Sequence, residues 1–416
     1  MSTTRAVQTA APAAPSTASS TASRVVSIDI FRGLTIAVMI FVNELAEVRG
    51  LPWWTYHAHG NQDVMTYVDM VFPFFLFIVG MSMPLSVEQR LKRNPSLVSL
   101  WLHVILRSLS LLVLGLILAN AEKADPARMP IGPAAWGLIG LIGAGLYLNV
   151  YPKSERAQRL AKILRPLGFI AVVVVFAIFR RTTQDGHAAW LDFSYPEILG
   201  LIGFAYFSAA LLYIPTRRWR WAAPASLVLL VVLNMCSSAK LISTPNLYMW
   251  PFGNGSHTAL VLGGIVAAQI FFGLRPGADQ RPSPRTASVI AVIFALIALA
   301  GGWLMTPLGI SKIRATPTWT LWNIGAALLV FALLYWICDL KHKTAWAALV
   351  HPAGANTLTT YLLPDLWYFV FALAAVTWMD THFNLGWPGV VKTVLFTLVM
   401  LGFAAALTRA RVRLQL

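Results

Sequence analysis

The chain has 416 residues, 57% of them hydrophobic and only 12% charged, against about 45–50% and about 25% in an average soluble domain. That balance excludes a soluble multidomain enzyme and describes a polytopic membrane protein. A net charge of +16 leaves nucleic acid open as a partner until the cations are placed.

Residues 1–23 are mostly Ala, Ser, Thr and Pro. Such a segment cannot bury enough apolar surface to offset the entropy of ordering, so it reads as a disordered cytoplasmic tail, and 24–416 as one transmembrane domain. Charge-free runs at 70–87, 129–152, 198–216, 221–239, 241–274, 286–311, 315–338 and 344–364 mark spans. Weaker segments lie at 28–46, 103–121, 166–180 and 388–408, and the region 354–376 serves as the eleventh helix. The expected fold is an all-α bundle of about 12 spans.

With the N-terminus inside, 23 of the 32 cations fall on the cytoplasmic side, eight fall outside, and Lys392 lies within the last span. The positive-inside rule then places both termini in the cytoplasm. The cations therefore describe orientation, and nucleic acid drops out as a partner. Pro133 with Trp136-Gly-Leu-Ile-Gly140 echoes Pro196 with Leu199-Gly-Leu-Ile-Gly203, as a duplicated helix pair would, although small residues recur in membrane helices for packing reasons alone. Cys236 and Cys338 are far apart, without a CxxC or a His cluster at metal spacing, so no metal is expected.

Between Arg24 and Arg93, polar and titratable residues interrupt what would otherwise be plain spans. Asp29 and Arg32 share a helix face at the cytoplasmic boundary, either as a cap and interfacial anchor or with Arg32 offering its donor fork to a phosphate. Asn43, near the outer end of the first span, must face protein or water, because an unpaired amide in lipid costs several kcal/mol, roughly. His57 and His59 lie in an outer loop beside Trp53, Trp54 and Tyr56, aromatics that suit a membrane belt or a sugar face. Asp69 follows at the start of the next helix, where it caps the helix or orients an imidazole for acyl transfer. Farther on, Asp365 and Lys392 are ionisable groups within spans and are expected to pair with each other.

The combination Ser27-x-Asp29-x-Phe31-Arg32-Gly33, Val42-Asn43, His59, Asp69-x-Val-Phe-Pro73-Phe and Gly80-x-Ser82 resembles the heparan-α-glucosaminide N-acetyltransferase family and its bacterial members. Arg107 with Asn120, Lys312 with Thr318-Trp319, Asp339, and Gly354-x-Asn356 with Tyr361 extend the similarity to about residue 365. The resemblance implies a multipass enzyme of a bacterial inner membrane. Such an enzyme takes acetyl-CoA from the cytosol and acetylates the amine of a glucosamine-type sugar on the periplasmic side. It carries the active-site His onto His59, which has the family's spacing to the Asp motif, the active-site Asn onto Asn43, and the adjoining carboxylate onto Asp69. The loop after Asn43 is longer than in the lysosomal enzyme, which keeps His57 as the alternative, and the spans within 132–180 are additional to it.

Arg32, Arg90, Arg93 and Arg107 are then the candidates for the CoA phosphates, and Trp53, Lys312, Asn356 and Asp365 for the sugar. Apolar helix faces are compatible with lipid or with a homodimer. The rival reading is a secondary transporter for an amino sugar or related solute, which also has about twelve spans and buried charges.

Overall fold

The computed structural model describes residues 25–244, 252–273 and 282–414; the tail 1–23 lies outside them. Among the described residues the chain forms fourteen helices. They are α1 (Val26–Leu45), α2 (Val71–Arg93), α3 (Leu97–Ala121), α4 (Pro133–Leu148), α5 (Glu155–Ile178), α6 (Glu197–Thr216) and α7 (Ala222–Ser238), then α8 (Ser256–Phe272), α9 (Pro284–Leu304), α10 (Pro317–Leu334), α11 (His351–Ala355), α12 (Thr357–Leu373), α13 (Trp378–Phe383) and α14 (Gly386–Arg409). Eight helices are long and apolar enough to cross a membrane, and α4, α7 and α8 are shorter and apolar. The expected all-α polytopic bundle is what the chain forms. Its one sheet among the described residues is a hairpin that pairs β1 (Arg181–Thr182) with β2 (Ala188–Ala189).

Every residue of α8 is buried, as expected of a helix that is apolar all round. It crosses α2 at backbone contact distance: a Cβ on Gly80 would lie 1.9 Å from the Val261 carbonyl oxygen, and one on Gly264 would lie 1.9 Å from that of Phe77. Only glycine permits this approach. Gly264→Val is therefore expected to force α2 and α8 apart and lower the thermal midpoint in detergent, at a cost of about 1–3 kcal/mol or more; an unchanged midpoint would show that the crossing relaxes freely. At the opposite extreme, α5 buries only Ala161, Gly168 and Val175, and its exposed Ile163, Phe169, Ile170 and Val173 form a lipid-facing surface.

Two charge-free runs end differently from the expectation. Within 241–274 the helix is Ser256–Phe272, and 245–251 lies outside the described residues. The 344–364 run breaks at Asn356, whose backbone (φ −128°, ψ 51°) leaves the helical region, so the long helix begins at Thr357. Pro364 sits inside α12 without ending it.

The expected Asp365–Lys392 pair does not form. Lys392 of α14 lies 2.6 Å from Glu44 of α1, with both side chains 5% exposed. Tyr368 donates its hydroxyl to Glu44 and Lys392 donates to Asn384. The reason is helix adjacency: the α1 end lies against the start of α14, where the Arg49 N–H donates to the Asn384 carbonyl and the Gly386 N–H to that of Arg49.

Candidate active site

The loop from 46 to 66 is folded by its own polar groups. Tyr56 donates its hydroxyl to the Val48 carbonyl at 2.6 Å and accepts the Leu51 N–H, while Thr66 Oγ1 donates to the Tyr56 carbonyl at 2.8 Å. Thr66 and Asp69 form a reciprocal capping box at the turn that opens the second span. These bonds bring His57 over Asp69, with Nδ1 2.7 Å from Oδ1.

The Asp69 carboxylate is 1% exposed. Its Oδ2 accepts the backbone N–H groups of Ala58 and Thr66 at 3.3 and 3.1 Å, and its carbonyl accepts Trp319 Nε1 at 3.1 Å. A carboxylate only accepts, so His57 Nδ1 is the donor, and in the neutral ring Nε2 keeps its lone pair. That tautomer is a base held in a fixed orientation.

Lys312 reaches the same imidazole from the loop between α9 and α10, with Nζ 3.3 Å from both ring nitrogens. Burial holds its ammonium below the usual lysine range, while Asp69 and Glu197 act in the opposite direction. The two loops are clamped together by Asp63, which pairs with Arg314 and accepts the Ile310 N–H at 3.2 Å. The bond from Arg314 keeps the Asp63 carboxyl below its ordinary value.

Asp69 thus holds His57, not His59. His59 is exposed, and its backbone N–H donates to Gln62 Oε1 at 3.3 Å. Asn43 is exposed near the end of α1, with no hydrogen bond to His57 or Asp69 among the described residues. Trp53 is 65% exposed in a short 3-10 turn of the His57 loop. Asn356 is not brought to the site: its amide nitrogen donates to the Val412 carbonyl at 2.8 Å and its oxygen accepts from Thr359. Asp365 lies on α12 one turn beyond Tyr361.

At the other end of the bundle a cavity of about 460 Å³ opens between α1, α2, α3, α6 and α12, and Arg32, Arg90, Arg93 and Arg107 all line it. Arg32 is set by Ser82 Oγ at 2.8 Å, the Gly354 carbonyl at 3.3 Å and Asp29 at 3.4 Å. Arg107 lies 4.6 Å from the centre of the Tyr206 ring, a cation–π contact. From Ser99 to Leu111 the wall follows one face of α3 for roughly 18 Å at the α-helical rise. His103 and Gln89 also line the cavity and do not stand out in the sequence, and Tyr361, a motif position there without a role, lines it too; the signal for His103 is its spacing of four from Arg107 on one helix face. The arginines suit an anionic group and the inner wall an apolar one, while no cluster of potential metal ligands occurs among the described residues.

A family model described as "Domain of unknown function (DUF5009)" matches residues 24–261, more than half of the chain. The chain belongs to that family. Relatives of known name match over shorter stretches: the heparan-alpha-glucosaminide N-acetyltransferase of Mus musculus is 34% identical over 136 residues, 33% of this chain and 19% of that protein. The Homo sapiens protein of the same name is 33% identical over 127 residues, 30% of this chain and 18% of that protein. The chain spans about a fifth of the length of these relatives. The resemblance read from the sequence motifs is thus shown.

Proposed function

We propose that the protein is a membrane N-acetyltransferase that moves the acetyl group of acetyl-CoA to the amine of a glucosamine-type sugar. The observation that carries this reading is the pairing of an arginine-lined cavity at one end of the bundle with an Asp69–His57–Lys312 constellation at the other. The cation excess favours the cavity end as cytoplasmic and the His57 end as periplasmic, in a bacterial inner membrane. The names of the relatives supply the acceptor class.

In this mechanism the four arginines hold the CoA phosphates, and the arm, shorter than a hydrocarbon core of about 30 Å, extends between the helices. The sugar nitrogen attacks the thioester carbonyl; the C–N bond forms, the C–S bond breaks, and CoA leaves as the thiolate. His57 Nε2 takes the proton from nitrogen, Asp69 stabilises the imidazolium, and Lys312 faces the developing oxyanion. The family spacing names His59 for the base; the buried carboxylate that orients an imidazole favours His57. Trp53 and Asp365 are left to the sugar.

The test is reconstitution with acetyl-CoA on the arginine side of sealed vesicles and glucosamine on the other. N-acetylglucosamine formed on the glucosamine side is the expected result. Glucosamine uptake without acetylation would establish a transporter and overturn the proposal.

A further inference from the structure

The arginine cavity is polar over only part of its depth. Its inner end is walled by Phe75, Val79, Leu111, Leu199, Ile202 and Tyr361, and the hydroxyl of Tyr361 is the polar group among these side chains. Tyr361 is 7% exposed and donates that hydroxyl to Glu197 Oε2 at 3.1 Å. Glu197 is fixed in turn: it opens α6 with a left-handed backbone (φ +57°), and the same oxygen accepts the Leu199 N–H at 3.1 Å.

A phenol has one proton, and here Glu197 takes it. The phenolic oxygen is left with lone pairs only, an acceptor set in an apolar wall. Such an acceptor calls for an N–H donor, because burial without a partner is costly to both groups. The arm of CoA joins its phosphates to its sulfur through two amides, each with one N–H.

We propose that Tyr361, held by Glu197, recognises the arm of the acyl donor, with an amide N–H of the arm donating to the phenolic oxygen. This rests on the acyl-CoA reading given above. The bond fixes how far the thioester advances from the arginines, and so registers it against the acceptor. Tyr361 acts as a specificity residue for the donor, and Glu197 as the residue that positions it. The cavity has room for the arm: its wall runs roughly 18 Å along α3 from Ser99 to Leu111, and Tyr361 lines the same cavity as the four arginines.

The test uses two probes with the purified full chain in detergent: CoA, which has the arm, and adenosine 3′,5′-bisphosphate, which carries the phosphates without it. Tyr361→Phe is expected to weaken CoA by about 10-fold or more and to leave the bisphosphate unchanged. Glu197→Gln, which keeps an acceptor for the phenol, is expected to retain CoA affinity within about threefold. Equal CoA affinity in Tyr361→Phe and wild type would overturn the inference, as would equal weakening of both probes. Wild type that binds both probes with this pattern of variants but acetylates no amine would overturn the proposed activity and leave the inference standing.

Discussion

His57→Ala is expected to lower the rate of acetyl transfer by about 10²–10⁴, the usual contribution of a positioned general base, while His59→Ala stays within about threefold of wild type by the same reasoning. The difference follows from the carboxylate. Asp69 is buried and holds the Nδ1 edge of His57 at 2.7 Å, which leaves Nε2 as the basic nitrogen; both imidazoles are exposed, but among the described residues no carboxylate holds that of His59. Asp69→Asn should approach the His57→Ala defect, because the amide oxygen keeps the Ala58 and Thr66 N–H groups and the NH2 then donates to His57 Nδ1, which puts the ring proton on Nε2 and removes the base. Initial rates of the reconstituted variants with acetyl-CoA and glucosamine settle the matter. A severe loss in His59→Ala with activity retained in His57→Ala would return the role to the residue favoured by the family spacing.

The sequence carried much of the bundle because a span must be apolar to exist: the charge-free runs are where α2, α4, α6, α7, α8, α9, α10 and the start of α12 lie, while α1, α3, α5 and α14 show only as weaker segments interrupted by charge. The arginines were legible for a related reason. A cation within or just below a span needs a partner or water, and Arg32, Arg90, Arg93 and Arg107 meet in one cavity. The imidazole was not legible to the residue. His57 and His59 differ by two positions in a loop, and the choice between them depends on Tyr56 reaching back to Val48 and Thr66 reaching back to Tyr56. Spacing along the chain has no access to such folding of the loop upon itself. Tyr361 is visible as a motif position, but its role is not, since that depends on Glu197, 164 positions away. Asn356 shows the converse: its motif was visible, yet its amide is spent on Val412 and Thr359.

The pairing of Lys392 with Glu44 departs from the sequence expectation, and it carries the largest expected effect on stability. By sequence, Asp365 on α12 is the natural counterion because both groups lie within spans; Glu44 stands at the end of α1 beside Asn43. Which helices touch decides the partner, and α14 brings Lys392 to Glu44, with Tyr368 completing the carboxylate's bonds. Lys392→Met removes the cation and leaves Glu44 buried beside apolar neighbours, a change expected to cost about 3–5 kcal/mol. The double variant Glu44→Gln with Lys392→Met removes both charges, and the glutamine still accepts from Tyr368. It is expected to recover most of the loss, because the penalty comes from the stranded charge and not from the missing attraction. Thermal midpoints of the single and double variants in the same detergent measure this directly. If the double variant is as unstable as the single, the pair itself holds α1 against α14, and the stranded-charge account fails.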